Sequence, residues 1–170
     1  YEEYIAMLDW STEQREHPVA IRVPGAVIHG EKPTKDYGIL NKYETVQKGS
    51  GAAIIALGTF FGMGKQAAEL IEKKTGVKPT LINPVYITGI DEELLESLKK
   101  DHKAVITLED GILDGGFGEK IARFYGDSDM RTVNLGLKKE FLDRYDANEV
   151  LRQNGLTPEQ IADRAAELVK

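Results

Sequence analysis

The chain has no cysteine among its 170 residues, which excludes disulfide bonds, thiolate metal ligands and a cysteine nucleophile. This lack is compatible with a reducing compartment, and we expect a cytoplasmic protein. No apolar run approaches the roughly 20 residues that a membrane-spanning helix needs, so we expect no membrane association. An initiating methionine is also missing before Tyr1, and we therefore expect a piece of a longer protein.

Positive charge is in deficit, since 22 lysines and arginines stand against 28 aspartates and glutamates and the net charge is −6. An acidic chain is poorly suited to bind nucleic acid or an anionic membrane surface, so we expect neither as a main partner. The apolar fraction of 41% suffices for a core. The length suggests one domain, or one domain with a piece of another.

Histidines are few and scattered, at His17, His29 and His102, and no H-x-x-x-H pair or G-x-S-x-G motif occurs. We therefore expect no metal site and no catalytic residue in this chain. His29 is the favoured catalytic candidate of the three because it lies near a predicted domain boundary. His102 follows a predicted helix, where it either interacts with the helix dipole or is solvated.

Short apolar runs alternate with amphipathic segments along most of the chain, which predicts an α/β fold. We expect a three-layer sandwich whose mixed sheet is mainly parallel and is covered by helices on both faces. The predicted strands of this sheet are residues 52–57, 80–82, 104–107 and 130–135, and residues 42–47 predict a further, modest strand.

The first 30 residues are predicted to be separate from the main domain. Residues 1–14 predict a helix with an apolar face of Tyr4, Ile5 and Leu8, and residues 19–23 predict a short strand. Residues 31–38 lack periodicity and predict a linker. The main domain is then expected over residues 39–170.

A glycine-rich stretch follows the predicted strand 104–107, and it is the most suggestive feature for a site. Glu109 and Asp110 end that strand, Gly111 predicts a bend, and Gly115-Gly116-Phe117-Gly118 lead into a helix after Asp114. Such a joint is where α/β proteins place ligands, because the N–H groups of the helix face the carboxyl end of the strand. The three acids either form a general acid/base pair or act as turn and cap residues.

Residues 58–66, G-T-F-F-G-M-G-K-Q, resemble a phosphate-binding loop only superficially. The spacing from Gly58 to Gly64 is one residue too long, and Gln66 stands where a magnesium-binding serine or threonine belongs. We expect a turn over residues 58–64 that leads into a helix, with Met63 in the core.

Several segments resemble, in order and spacing, the end of the 1-deoxy-D-xylulose-5-phosphate synthase family of the transketolase-like, thiamine-diphosphate-dependent superfamily. They are H-P-V-A-I-R-V-P-G at 17–25, G-A-A-I-I-A-L-G-T at 51–59, L-E-D-G-I-L-D-G-G-F-G at 108–118, V-N-L-G-L at 133–137 and L-R-Q-N-G-L-T-P-E-Q-I-A at 151–162.

The resemblance implies a three-domain parent. Residues 1–30 would be the tail of its pyrimidine-binding domain, and the main domain would be a transketolase C-terminal domain. The parent would condense pyruvate with glyceraldehyde 3-phosphate, using thiamine diphosphate and magnesium held by domains outside this chain. The implied partners are the remaining domains of the parent, in a homodimer that this part braces without being catalytic itself.

One departure from the family bears on the substrate. The resemblance implies an arginine between a proline and a glycine that holds the phosphate of the aldehyde, but here Pro24 is followed directly by Gly25. Arg22 is the nearest cation, so it is a weak candidate for substrate binding or else a structural arginine. We hypothesise that the parent handles glyceraldehyde 3-phosphate poorly or uses another acceptor.

Two further readings stay open at this point. The chain is alternatively a stand-alone module that binds an anion or nucleotide at the glycine turn, or a separately encoded C-terminal subunit of a split transketolase. Fold alone does not separate these readings.

Overall fold

The computed structural model describes residues 1–23 and 29–169, and the chain divides into two compact units, Tyr1–Leu40 and Asn41–Lys170. The predicted linker 31–38 falls in the first unit. That residues 1–30 are the tail of a pyrimidine-binding domain stays a prediction. Among the described residues, no helix is both long and apolar enough to cross a membrane.

The described residues of the first unit contain one helix, α1 (Glu2–Glu13), as predicted, and none of the residues of α1 is fully buried. The predicted strand 19–23 is wrong, because residues 19–23 form no regular element. Alternating β-branched residues favour an extended chain, but a strand needs a partner for its backbone hydrogen bonds. None of the strand pairings among the described residues includes this segment.

The second unit is built on a five-stranded sheet with the order β1-β3-β2-β4-β5. Strand β1 runs antiparallel to β3, and the other neighbours are parallel, which confirms the mainly parallel mixed sheet. The strands are β1 (Glu44–Gln47), β2 (Gly51–Ala56), β3 (Thr80–Asn83), β4 (His102–Ile112) and β5 (Arg131–Leu137).

Helices cover both faces of this sheet, because each central strand is apolar on both sides. The second unit's helices are α2 (Phe61–Thr75), α3 (Glu92–Leu98), α4 (Phe117–Tyr125), α5 (Ala147–Gln153) and α6 (Pro158–Leu168). Helices α2 and α6 pack with Ile54 and Ile106 on one face, whereas α3 and α4 pack with Ile55 and Val105 on the other. The predicted three-layer sandwich is therefore confirmed.

Local signals placed several helix ends correctly. Helix α2 ends at Gly76, whose φ of 73° is the left-handed conformation that glycine adopts without steric cost. The Thr157 hydroxyl accepts from the Gln160 N–H and caps α6. The segment Thr157-Pro158-Glu159-Gln160 predicts a full capping box, in which the Gln160 side chain would bond back to the N-cap residue. This second bond is not made, because the Gln160 side chain donates to the carbonyl of Arg152 instead.

Two predicted turns differ from the structure. A 3₁₀ helix at Gly58–Phe60 leads directly into α2, so residues 61–64 are helical rather than a turn. Strand β4 continues through Glu109 and Asp110 to Ile112, so the predicted bend at Gly111 is wrong. Between Leu108 and Ile112, β4 advances four residues while its partner β5 advances two, from Leu135 to Leu137, which is a bulge in a continuing strand.

Asp91 joins α3 to the start of the sheet. Its place before Glu92 and Glu93 predicts a helix N-cap, and the structure confirms that cap. Its carboxylate is 5% exposed and accepts from the Leu94 N–H at 3.2 Å. It also accepts from the Tyr43 N–H at 3.0 Å and from the Lys42 ammonium at 3.3 Å. A buried carboxylate with three donors links residues that are 48 positions apart in the chain.

We expect Asp91→Ala to lower the free energy of unfolding by about 2–4 kcal/mol, since it removes a helix cap and leaves a buried N–H without an acceptor. Asp146 caps α5 from an exposed position by accepting from the Glu149 N–H, so it offers a matched control. Asp146→Ala should cost only about 0.5–1 kcal/mol. Urea denaturation measures both, and equal losses would contradict the role assigned to Asp91.

Candidate functional site

The carboxyl end of β4 and the start of α4 form the candidate site, as the glycine-rich stretch predicts. Glu109 lies in β4, is 5% exposed and points toward α4. Its Oε2 accepts from the Phe117 N–H at 2.7 Å, and its Oε1 accepts from the Gly118 N–H at 3.0 Å. The carboxylate thus takes the first N–H groups of the helix, where a negative charge is stabilised by the helix dipole.

The glycines at positions 116 and 118 are explained by how closely polar side chains approach them. A Cβ at Gly116 would lie 2.3 Å from Glu109 Oε2, which no real side chain tolerates. A Cβ at Gly118 would lie 2.6 Å from the Thr107 hydroxyl. That hydroxyl donates to Asn134 Oδ1 at 3.0 Å, so β4, β5 and α4 meet here through polar contacts as well as apolar packing.

The three acids of the stretch do not act together. Glu109 caps α4, whereas the Asp110 carboxylate accepts from the Thr59 hydroxyl at 3.4 Å. Asp114 lies in the exposed turn, 3.9 Å from the Lys139 ammonium. Because each acid has a different partner, the cap and turn interpretation describes Glu109 and Asp114 better than a general acid/base pair.

The site leaves little room for an external anion at α4. The helix N-terminal N–H groups of Phe117 and Gly118 already have an anionic acceptor in Glu109. Asp110 and Asp114 add negative charge nearby, which would repel a phosphate. These contacts count against the reading of the chain as a module that binds an anion or nucleotide at the glycine turn.

The other phosphate-loop candidate, residues 58–66, is also structural. Met63 packs against the core, as predicted, and Gly64 is buried where a Cβ would lie 2.9 Å from the Ala56 Cβ. Lys65 and Gln66 lie exposed on α2. The pattern therefore serves close packing of α2 on β2.

The histidines have structural partners. His102 is buried, with Nε2 2.8 Å from the Thr80 hydroxyl and Nδ1 3.1 Å from the Leu98 carbonyl at the end of α3, so it interacts with that helix end and is not solvated. His29 Nδ1 lies 2.9 Å from Glu2 Oε1. This contact and the Gly30 N–H lower the pKa of Glu2 to about 2.

The remaining sequence candidates do not converge on a pocket. His17 lies beside Trp10, with ring centroids 6.0 Å apart. Arg22 is exposed in the irregular segment, and Pro24-Gly25 lies outside the described residues. Among residues 1–23 and 29–169, no group of three histidines or acids is placed to hold a metal ion.

The sequence analysis did not predict that the Glu109 carboxylate accepts hydrogen bonds from the first N–H groups of α4. The signal that points to it is the first of two adjacent acids, Glu109 and Asp110, at the end of an apolar strand, followed by G-G-x-G at the start of a helix. It also missed the bond from Asp91 to the Tyr43 N–H, for which the sequence carries no local signal because the two residues are far apart in the chain.

Comparison with known families gives a match over most of the second unit. Residues 41–161 match the family described as "Transketolase, C-terminal domain". This stretch begins at the residue where the second compact unit begins.

Curated relatives extend the similarity across both units. The 1-deoxy-D-xylulose-5-phosphate synthase of Shouchella clausii is 33% identical over 150 residues, which cover 86% of this chain and 24% of that protein. The synthase of Clostridium tetani is 32% identical over 171 residues, which cover 99% of this chain and 27% of that protein. The chain thus spans about a quarter of the length of these relatives.

Solved structures share the fold. A chain of a split-gene transketolase, described as an inactive beta4 tetramer, aligns with a TM-score of 0.67 and 22% identity, over 76% of this chain and 44% of that chain. A Pichia stipitis transketolase in complex with sedoheptulose 7-phosphate aligns with a TM-score of 0.52 and 19% identity, over 76% of this chain and 18% of that chain. At these identities the likeness concerns the fold alone.

We expect Gly116→Ala to lower the free energy of unfolding by about 1–3 kcal/mol, because the new Cβ collides with the Glu109 carboxylate. Gly62 in α2 has open space around it, so Gly62→Ala should stabilise by about 0.5–1 kcal/mol and serves as the control. Urea denaturation measures both changes.

A double-mutant cycle isolates the Glu109 contact. Glu109→Ala leaves two buried N–H groups without an acceptor, and we expect a loss of about 2–4 kcal/mol. In that background Gly116→Ala should cost clearly less than it does alone, since its collision partner is gone. Strict additivity of the two losses would show that Glu109 is not what excludes a side chain at position 116.

Proposed function

The chain belongs to the transketolase C-terminal domain family, and from this premise we propose that it is the C-terminal part of a 1-deoxy-D-xylulose-5-phosphate synthase-like transferase. The observation that carries the proposal is the similarity to curated synthases over 86% and 99% of the chain, which includes the first unit. The parent would condense pyruvate with glyceraldehyde 3-phosphate, in synthesis of isoprenoid and thiamine precursors.

Thiamine diphosphate would supply the carbanion chemistry in this parent. The described residues of this chain do not fit that cofactor. At the candidate site, the helix N–H groups are taken by Glu109, and Asp110 and Asp114 would repel a diphosphate. We therefore assign cofactor and magnesium binding to domains that the longer relatives have. To this part of the protein we assign a bracing role in a cytoplasmic homodimer.

A separately encoded C-terminal subunit is the second candidate. The contacts of Glu109 with the first N–H groups of α4 count against a stand-alone anion-binding module and leave this subunit as the alternative. The intact mass of the natural gene product decides between a subunit and part of a longer chain. A mass near the 18.9 kDa of this chain would support the subunit.

The 170-residue chain alone should not bind thiamine diphosphate with magnesium and should not turn over pyruvate, because the described residues lack a suitable site. Isothermal titration calorimetry measures the binding, and the full-length protein is the positive control. Binding to the isolated chain at micromolar affinity would contradict the assignment of the cofactor to other domains.

Steady-state kinetics on the full-length protein test the proposed function directly. Pyruvate and glyceraldehyde 3-phosphate should give product in the presence of thiamine diphosphate and magnesium. Because no arginine stands between Pro24 and Gly25, the preference for phosphorylated over unphosphorylated aldehydes should be weak, and an arginine inserted there should raise it. A preference of about a hundredfold that the insertion leaves unchanged would refute the substrate hypothesis.

A further inference from the structure

Three places in the chain carry an aspartate or asparagine directly before a glycine. They are Asp110-Gly111, Asp114-Gly115 and Asn154-Gly155. In such a pair the glycine nitrogen can attack the side-chain carbonyl carbon and close a five-membered succinimide ring, since glycine has no side chain to hinder its nitrogen. Ring closure needs a side chain that rotates and an N–H that is not engaged in a hydrogen bond, so the contacts of the three pairs distinguish them.

The asparagine pair is held on both sides. Asn154 Nδ2 donates to the Val150 carbonyl at 2.8 Å, and Asn154 Oδ1 accepts from the Lys138 N–H at 3.3 Å. The Gly155 N–H donates to the Arg152 carbonyl at 3.3 Å. These hydrogen bonds have to break before the ring closes, so this pair is protected.

The first aspartate pair is held by the sheet. Asp110 and Gly111 lie inside β4, whose pairing with β5 continues beyond them to Ile112 opposite Leu137. The Asp110 carboxylate also accepts from the Thr59 hydroxyl at 3.4 Å. Ring closure at this pair therefore requires local opening of the strand.

The second aspartate pair has none of these restraints. Asp114 and Gly115 are the middle residues of a β-turn closed by the Gly116 N–H, which donates to the Leu113 carbonyl at 2.9 Å. Gly115 has a φ of 73°, as the third residue of a type II turn requires. Its N–H donates to no acceptor within the part of the chain that the structure describes. The Asp114 side chain is 68% exposed, and its 3.9 Å ion pair with Lys139 is exposed and weak.

We propose that Asp114 is a site of spontaneous modification, at which the aspartyl linkage of the chain converts to an isoaspartyl linkage. The Gly115 nitrogen attacks Cγ of the protonated Asp114 carboxyl group. A C–N bond forms, the C–OH bond breaks, and the hydroxyl group leaves as water with the proton from nitrogen. This inference does not depend on the proposed function.

A water molecule then opens the succinimide ring. Addition of water at Cγ restores aspartate, whereas addition at the main-chain carbonyl carbon of Asp114 leaves the chain connected through Cβ and Cγ. The two steps release one water and consume one water, so the result is an isomer of the same mass. No oxidant or cofactor is needed.

The isoaspartyl linkage adds one methylene group to the main chain just before α4. This turn leads directly to Phe117 and Gly118, whose N–H groups donate to the Glu109 carboxylate at 2.7 and 3.0 Å. Hydrogen bonds weaken steeply when their atoms move out of alignment. The isoaspartyl form should therefore exchange the amide hydrogens of Phe117 and Gly118 faster than the aspartyl form does.

Ageing of the full-length protein tests the site. The protein and a synthetic peptide of residues 104–120 are incubated side by side at physiological temperature, and electron-transfer fragmentation of the tryptic digest locates isoaspartate. Trypsin releases Asp110 and Asp114 in one peptide, residues 104–120, so both are measured with the same sensitivity. Asp114→Glu is the matched variant, because it keeps the charge while its longer side chain does not form the five-membered ring.

Isoaspartate is expected at position 114 at a rate within about threefold of the rate in the peptide, and at position 110 about tenfold more slowly than at position 114, because strand opening adds to the barrier there. The Asp114→Glu variant should lose the isoaspartate in this turn. Equal rates at positions 110 and 114 would overturn the proposal, as would protein that shows no isoaspartate at 114 when the peptide is converted. Hydrogen exchange at Phe117 and Gly118 that ageing leaves unchanged would overturn the effect on α4.

Discussion

The structure of the second unit depends on the buried carboxylate of Glu109, which accepts hydrogen bonds from two backbone N–H groups. Glu109 is almost completely removed from water, which is costly for a carboxylate unless hydrogen bonds replace its hydration. The two N–H groups at the start of α4 provide that replacement. This contact holds the start of α4 against β4 and requires the absence of a side chain at Gly116.

The sequence predicted those parts of the fold that local chemistry determines. The buried strand β2, the left-handed end of α2 at Gly76 and the cap at Asp91 depend on residues within a few positions of one another. The strand expected at residues 19–23 failed because a strand depends on a distant partner that its own residues do not specify. The predicted end of β4 at Thr107 was wrong because two acids and a glycine suggested a turn. Pairing with β5, which reaches Ile112 opposite Leu137, keeps these residues in the strand.

The candidate site shows the same limit of prediction from local sequence. Its location at the strand-to-helix joint followed from the glycine pattern, but its chemistry did not. A helix N-terminus that faces a strand end is able to hold a ligand anion or an anion from the protein itself. Which of the two applies was decided by the side-chain direction of Glu109, a property that the sequence pattern leaves open. Resemblance to known proteins supplied the family, which no arrangement of these residues would have revealed.

The order of the elements has a consequence during synthesis. One face of the central strands, with Ile54 and Ile106, is covered by α2 together with α6, and α6 follows all five strands in the chain. A nascent chain that already contains all five strands therefore still exposes part of this core. Until α6 leaves the ribosome and packs against α2, that surface is open to aggregation and to chaperones.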